Sequence, residues 1–329
     1  MARVFVASEY APLHRVVLAQ SQIRLPDPDF MSADLAADEL AVLPEEELAI
    51  LIALLGRDHA EAMPERQQAW EAERTALSQL LAGFGVEILR PAMLTPEQKA
   101  AGGSAGYSNS FVRDPWFTVG RTVVEGSLRF PHRRSEVLPS RPIFHREVYP
   151  ADCDYVATPQ PDHRPIEDHG PDAGPFLEGG DVLVQGNHVF VGVSGRATST
   201  RGVDYLRKLL TPRGYSVTVV PLTPNILHLD CALGLVREGL AVVCPEVLLD
   251  GIPEPLRDWD QVEVTLTEAM TLGTNGLPIT PSVYVTDPAF TRIGEQIARH
   301  GVRVEYLDFT ISRAFGGSFR CSTQALHRE

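Results

Sequence analysis

What most constrains this chain is a unit that repeats along it: a β-hairpin, then a helix, then one more strand. FTVGRTVVEG, VLVQGNHVFVGV, LGLVREGLAVVC and LPITPSVYVTD each fit two short alternating strands around a tight turn. Between and around them, helix-like stretches lead into single strands. AWEAERTALSQLLAGFG leads into VEILRP, TSTRGVDYLRKLLTPRGY into SVTVVPL, and DPAFTRIGEQIARHG into VRVEYLDF. DGIPEPLRDWD, a weaker helix, leads into VEVTLTEA. The helices carry apolar residues at i, i+3 and i+4, and the strands alternate. The hairpins begin near residues 116, 182, 233 and 277, too irregularly for a solenoid. Similar supersecondary units around a shared centre are expected, and an ordinary mixed α/β fold is the plainer alternative.

Polar residues recur at the same place in each unit. NSFVRDP, with Arg113 and Asp114, precedes the first hairpin, and LEGGD, with Glu178 and Asp181, the second. LHLDC, with His228 and Asp230, precedes the third, and GTNG, with Asn275, the fourth. GGSFRC, with Arg320 and Cys321, follows the last strand. In a pseudo-symmetric ring these entries converge on one axis and build one pocket.

The bulk numbers bound the classes available. The 329 residues are 44% hydrophobic and 22% charged, an ordinary globular composition that supports one large domain or two. A net charge of -14 argues against a nucleic-acid surface. The longest apolar run, LAILIALLG, is too short to span a bilayer, and MARVFVASEYAPLHRVVLAQ lacks the basic start and apolar run of a secretory signal. Cys153, Cys231, Cys244 and Cys321 form no CxxC pair, which suits a reduced, cytoplasmic setting. Residues 31–72 do not fit the unit and read as an inserted pair of helices, a lid or an oligomer contact. PQPDHRPIEDHGPDAGP, residues 159–175, reads as a long loop.

In a strand, His228 and Asp230 would share a face while Cys231 turned toward the core. His228, Cys321 and the carboxylates could in principle hold zinc, but no paired ligand spacing such as CxxC or HExxH occurs. A cysteine nucleophile beside a histidine base is the stronger reading. Asp114, Glu178 and Asp230 exceed what such a pair needs, and point to a cationic substrate. A guanidinium, planar and permanently charged, suits carboxylates bidentately.

NSFVRDPWFTVG, FLEGGDV, GVSGRAT, ILHLDC and GGSFRCST resemble, in order and spacing, the guanidino-group-modifying superfamily of arginine deiminases, dimethylarginine dimethylaminohydrolases and amidinotransferases. The likeness runs from about residue 70 to the end, with a weaker match in EYAPLHRVVLAQ. It implies a five-bladed pseudo-symmetric α/β propeller, the pentein fold, of ββαβ units, as one catalytic domain over residues 1–329 with the helical insertion near 31–72. It implies Cys321 as nucleophile, His228 as general acid and base, and Glu178 as the carboxylate that orients the histidine. Asp114 and Asp230 resemble the guanidinium-binding carboxylates. Arg196 in GVSGRAT and Arg133, 19 residues after Asp114, resemble arginines that bind a substrate carboxylate. The alternative for Arg133 is a solvated basic run, HRR. Asn109 and Asp181 join them as candidate substrate-binding residues.

No cofactor, metal, nucleic acid or membrane partner is expected. The expected ligand is a small guanidine, arginine or a close derivative, with an acceptor amine if the amidino group is transferred rather than hydrolysed. GGSFRC is one residue longer than the deiminase GGxRC and nearer in form to the amidinotransferases, which place a histidine where Arg320 stands. HLD, rather than HLK, departs from the dimethylargininases. Hydrolysis is the leading expectation and amidino transfer the alternative. A catalytically idle arginine-binding relative is a third, which would require a broken Cys-His-carboxylate set. A homo-oligomer is compatible with the insertion.

Overall fold

A computed structural model describes residues 3–29, 43–161 and 174–329. Among them are five sheets with one plan: an antiparallel pair with a parallel strand added to one member. Val182–Gln185 pairs antiparallel with His188–Val193, which takes Ser216–Pro221 parallel on its other edge. Leu233–Arg237, Leu240–Val243 and Asp260–Glu263 repeat this order. So do Leu277–Thr280, Val283–Thr286 and Arg303–Tyr306. Trp116–Val119 and Thr122–Glu125 take Asp154–Ala157 as their parallel strand.

The fifth sheet joins the two ends of the described chain. Thr323–Arg328 pairs antiparallel with Leu13–Leu18, which takes Glu87–Leu89 parallel, while Phe5–Val6 lies on the other edge of Thr323–Arg328. The four hairpins read from the sequence are all present. The turn between Gln185 and His188 needs its glycine for backbone reasons: Gly186 sits at φ +56° with open space around it.

Helices return the chain from the hairpins to the parallel strands. Thr200–Leu210 starts at Ser199, whose hydroxyl accepts from the Gly202 amide. It buries Val203, Leu206 and Leu210 against Val189 and Val191 of the neighbouring sheet. Each such side chain contributes about 1.5–3 kcal/mol of burial. Thr291–Arg299 does the same with Ile293 and Ile297. No helix among the described residues is long and apolar enough to cross a membrane.

Four readings are corrected. DGIPEPLRDWD forms only the 3₁₀ turn Glu254–Leu256, because Pro253 and Pro255 supply no amide donors. LHLDC is not a strand: Leu229–Cys231 is a 3₁₀ turn with His228 in extended backbone before it. The insertion does not end at residue 72, since Pro64–Gly83 is one helix that runs into the body of the protein and buries Trp70, Leu77 and Leu81. It is preceded by Glu45–Leu54 and the single turn His59–Ala62; residues 31–42 lie outside the described residues. The first unit returns through the 3₁₀ turn Pro131–Arg133 and one helical run of mixed pitch, 3₁₀ over Leu138–Ser140, α over Arg141–Ile143 and π over Phe144–Val148, in place of a regular α-helix. Of the expected loop at 159–175, residues 162–173 lie outside the described residues.

Candidate active site

Asp114, Glu178, His228, Asn275 and Cys321 each stand just before the first strand of a pair: Trp116, Val182, Leu233, Leu277 and Thr323. A strand that starts in the core presents the residue before it at the strand's end, and five sheets bring five such ends together. All five residues are buried. Asn275 Oδ1 accepts from the Cys321 amide at 3.2 Å, and the Cys321 carbonyl accepts from the amides of Val112 and Arg113 at 3.0 and 3.3 Å. The backbone of the thiol-bearing turn is thus held from two other units.

His228 Nε2 donates to Glu178 Oε2 at 2.8 Å, and Nδ1 lies 3.9 Å from Asp114 Oδ1. Gly180 makes this possible, since a Cβ there would come 2.8 Å from the imidazole and 2.6 Å from Asp114 Oδ1. Burial alone would lower the histidine pKa; Asp114, Glu178 and Asp181 more than offset it and hold it at about 10. Asp114 is pushed up by burial, but His228 and Arg133 prevail and bring it to about 2. His228 is therefore an imidazolium between two carboxylates at neutral pH.

The Cys321 sulfur lies 3.8 Å from Asp230 Oδ2. Burial and the negative charges of Asp230 and Asp114 hold the thiol well above its usual range. Asp230 in turn accepts from Arg320 at 2.8 Å, and Arg320 also pairs with Glu9 at 3.1 Å. Burial would raise Glu9, but the guanidinium of Arg320 brings it down to about 2. Glu9 was not singled out in the sequence; its signal was only its place in the weakly matching EYAPLHRVVLAQ.

Arg133 is not solvated. It pairs with Asp114 at 2.8 Å, Glu136 at 2.9 Å and Glu178 at 3.4 Å. Each aspartate of the site thus already carries an internal guanidinium. The donor atoms of Asp114, Glu178 and His228 lie within 4.8 Å of one another, the kind of cluster that can hold a metal. Arg133 pairs with two of those three residues and places a positive charge beside that position.

Asp114, Arg133, Arg196, His228 and Cys321 line one cavity of about 310 Å³. Cys231, expected to turn toward the core, is half-buried and lines it as well. Glu178 and Asp230 stand behind His228 and Cys321. Asn109 and Asp181 do not line it: the Asn109 amide donates to Gln22 and Ala92, both at 3.0 Å, and Asp181 accepts from the Leu229 and Thr198 amides at 2.9 and 3.1 Å. Burial raises the Asp181 carboxyl to about 7.

Comparison with known proteins finds relatives among guanidino-group-modifying enzymes. An inosamine-phosphate amidinotransferase of Streptomyces glaucescens is 27% identical over 287 residues, 78% of this chain and 80% of that one. A dimethylarginine dimethylaminohydrolase of Pseudomonas aeruginosa is 29% identical over 148 residues, 44% of this chain and 54% of that one. Among solved structures, an amidinotransferase of the saxitoxin pathway of Microseira wollei superposes with a TM-score of 0.78 at 17% identity, over 99% of this chain and 97% of that one. The family model described as arginine deiminase matches residues 107–271, the stretch that carries Asp114, Glu178, His228 and Asp230. The chain belongs to the arginine deiminase family, among the guanidino-group-modifying enzymes.

Proposed function

We propose that this protein is a cysteine-dependent hydrolase of a guanidine, and that the five sheets of common plan are the blades of a single α/β propeller closed by the first and last described strands. The observation that carries the reaction is the meeting of Cys321, His228 and Asp114 on one cavity, with Asp230 3.8 Å from the sulfur. Burial raises the thiol first and the two aspartates add to it; a substrate guanidinium entering beside Asp114, with Asp230 behind the sulfur, brings a positive charge toward those two carboxylates. Its arrival offsets them and favours the thiolate, the thiol proton passing to solvent because His228 already carries its own, so the nucleophile forms when a cationic substrate is present.

The thiolate of Cys321 attacks the guanidinium carbon and forms a C–S bond. The C–N bond to one nitrogen then breaks, and that nitrogen leaves as ammonia or an amine with a proton from His228. The remaining carbon stays on sulfur as a thiouronium. Water, deprotonated by His228, attacks it; the C–S bond breaks and a urea is released. Glu178 keeps His228 oriented and Asp114 stabilises its charge. Arg133 and Arg320 hold the two aspartates in place, and Arg196, on the cavity wall, would serve a substrate that carries a carboxylate.

Amidino transfer is the second reading, with an acceptor amine replacing water in the last step. The observation that favours it is the extent of the amidinotransferase likeness, which spans 78% of this chain.

The test is product analysis by mass spectrometry with L-arginine, with and without a panel of amines. Citrulline and ammonia without an amine establish the hydrolase. Ornithine with a new guanidino product, formed only when an amine is present, establishes the transferase. Cys321→Ser should lower turnover by roughly 10³-fold or more while the fold is kept. Retained activity in that variant removes the nucleophile assignment.

A further inference from the structure

We infer that the site takes a guanidine whose substituent is apolar, an aliphatic chain or ring, in preference to one ending in an amino acid group. This rests on the covalent chemistry proposed for Cys321 and names the substrate class that chemistry serves.

The cavity that holds Cys321, His228 and Asp114 is continuous with a wall made by helix Glu45–Leu54. Leu48, Leu51, Ile52 and Leu55 fall at i, i+3, i+4 and i+7, the spacing of a helix's apolar stripe. A surface helix ordinarily buries such a stripe in the core. Here only Leu54 of the helix is buried, and the stripe lines the cavity instead, with Ile52 61% exposed. Phe111 and Met270 line the same cavity. Its volume, about 310 Å³, lies at the lower end of pockets that hold a small organic ligand.

The charged residues of the wall are paired within the protein. Arg24 pairs with Asp27 at 2.7 Å, Arg313 with Asp287 at 2.9 Å, and Arg133 with Asp114 and Glu136. Arg196 also lines the cavity, so the competing ligand is a guanidine with a carboxylate, and the experiment includes it. An apolar substituent would cover the leucine stripe and remove it from water, a gain that a zwitterionic end group does not supply.

The purified full chain is given ethyl-, butyl-, hexyl- and octylguanidine, L-arginine and agmatine, and release of ammonia or amine is followed. The expected result is a kcat/KM that rises roughly fourfold for each added methylene until the cavity is filled, and that passes the value for arginine. Leu51→Asp should flatten the series. A flat or falling series with arginine as the best substrate overturns the inference and leaves the Cys321 chemistry standing. No turnover of any guanidine, with no mass added to Cys321, removes both.

Discussion

Arg320 donates to Asp230 at 2.8 Å, so the residue next to the candidate nucleophile neutralises the carboxylate beside that nucleophile's sulfur. The same guanidinium is held from behind by Glu9. All three groups are buried, and an ion network in that setting is costly to break at any one member.

Glu9→Ala should therefore destabilise the fold by about 3 kcal/mol, because it leaves Arg320 with one carboxylate fewer in a buried place. Urea unfolding measures this. Glu9→Ala combined with Arg320→Met should recover part of the loss. An unchanged midpoint in Glu9→Ala would show that Asp230 alone satisfies the guanidinium.

Arg133 has two competing roles, and one variant separates them. If it holds Asp114 in place, Arg133→Met should reduce kcat/KM for arginine and for a guanidine without a carboxylate by the same factor. If it binds a substrate carboxylate, only arginine should suffer. Equal losses are expected, since its guanidinium already meets three carboxylates. Steady-state kinetics on arginine and ethylguanidine decides it.

Gly180→Ala should act on His228 without replacing any titratable side chain. The added methyl would come 2.8 Å from the imidazole and must displace it or Asp114. A shift of about 1 Å in a reacting group can cost roughly 10²-fold in rate. The expected signature is a lower kcat with near-native thermal stability, read by paired activity and melting measurements.

Stability should vary with pH in a way that His228 dominates on the alkaline side. Its folded value of about 10 lies above the usual 6.5, so its contribution is full below pH 6.5 and is lost as pH rises toward 10. At the acid end Glu9 and Asp114, both at about 2, add stability that is present above pH 4.5 and lost as pH falls toward 2. Urea midpoints from pH 6.5 to 10 should fall in the native chain and fall less in His228→Gln. Equal slopes in the two proteins would place the alkaline titration elsewhere.

The sequence by itself determined the local units: the hairpins, the helices at Thr200–Leu210 and Thr291–Arg299, and the polar residues that precede the strands. These follow from alternation, helical spacing and turn glycines, which act over a few residues. It also supplied Cys321, His228, Glu178, Asp114 and Asp230 as one set. It misjudged DGIPEPLRDWD and LHLDC because apolar spacing outweighed the prolines in one and the turn in the other. Only the tertiary structure decided what lies next to what. The fifth sheet pairs residues 13–18 with 323–328, a contact that no local pattern encodes. Glu9 reaches Arg320 across 311 positions, and Arg133, read as either a substrate-carboxylate arginine or a solvated charge, is the partner of three buried carboxylates. Residue type and spacing state which charges a chain carries; their partners are set by the closure of the fold, which forces each buried charge to find a counter-charge.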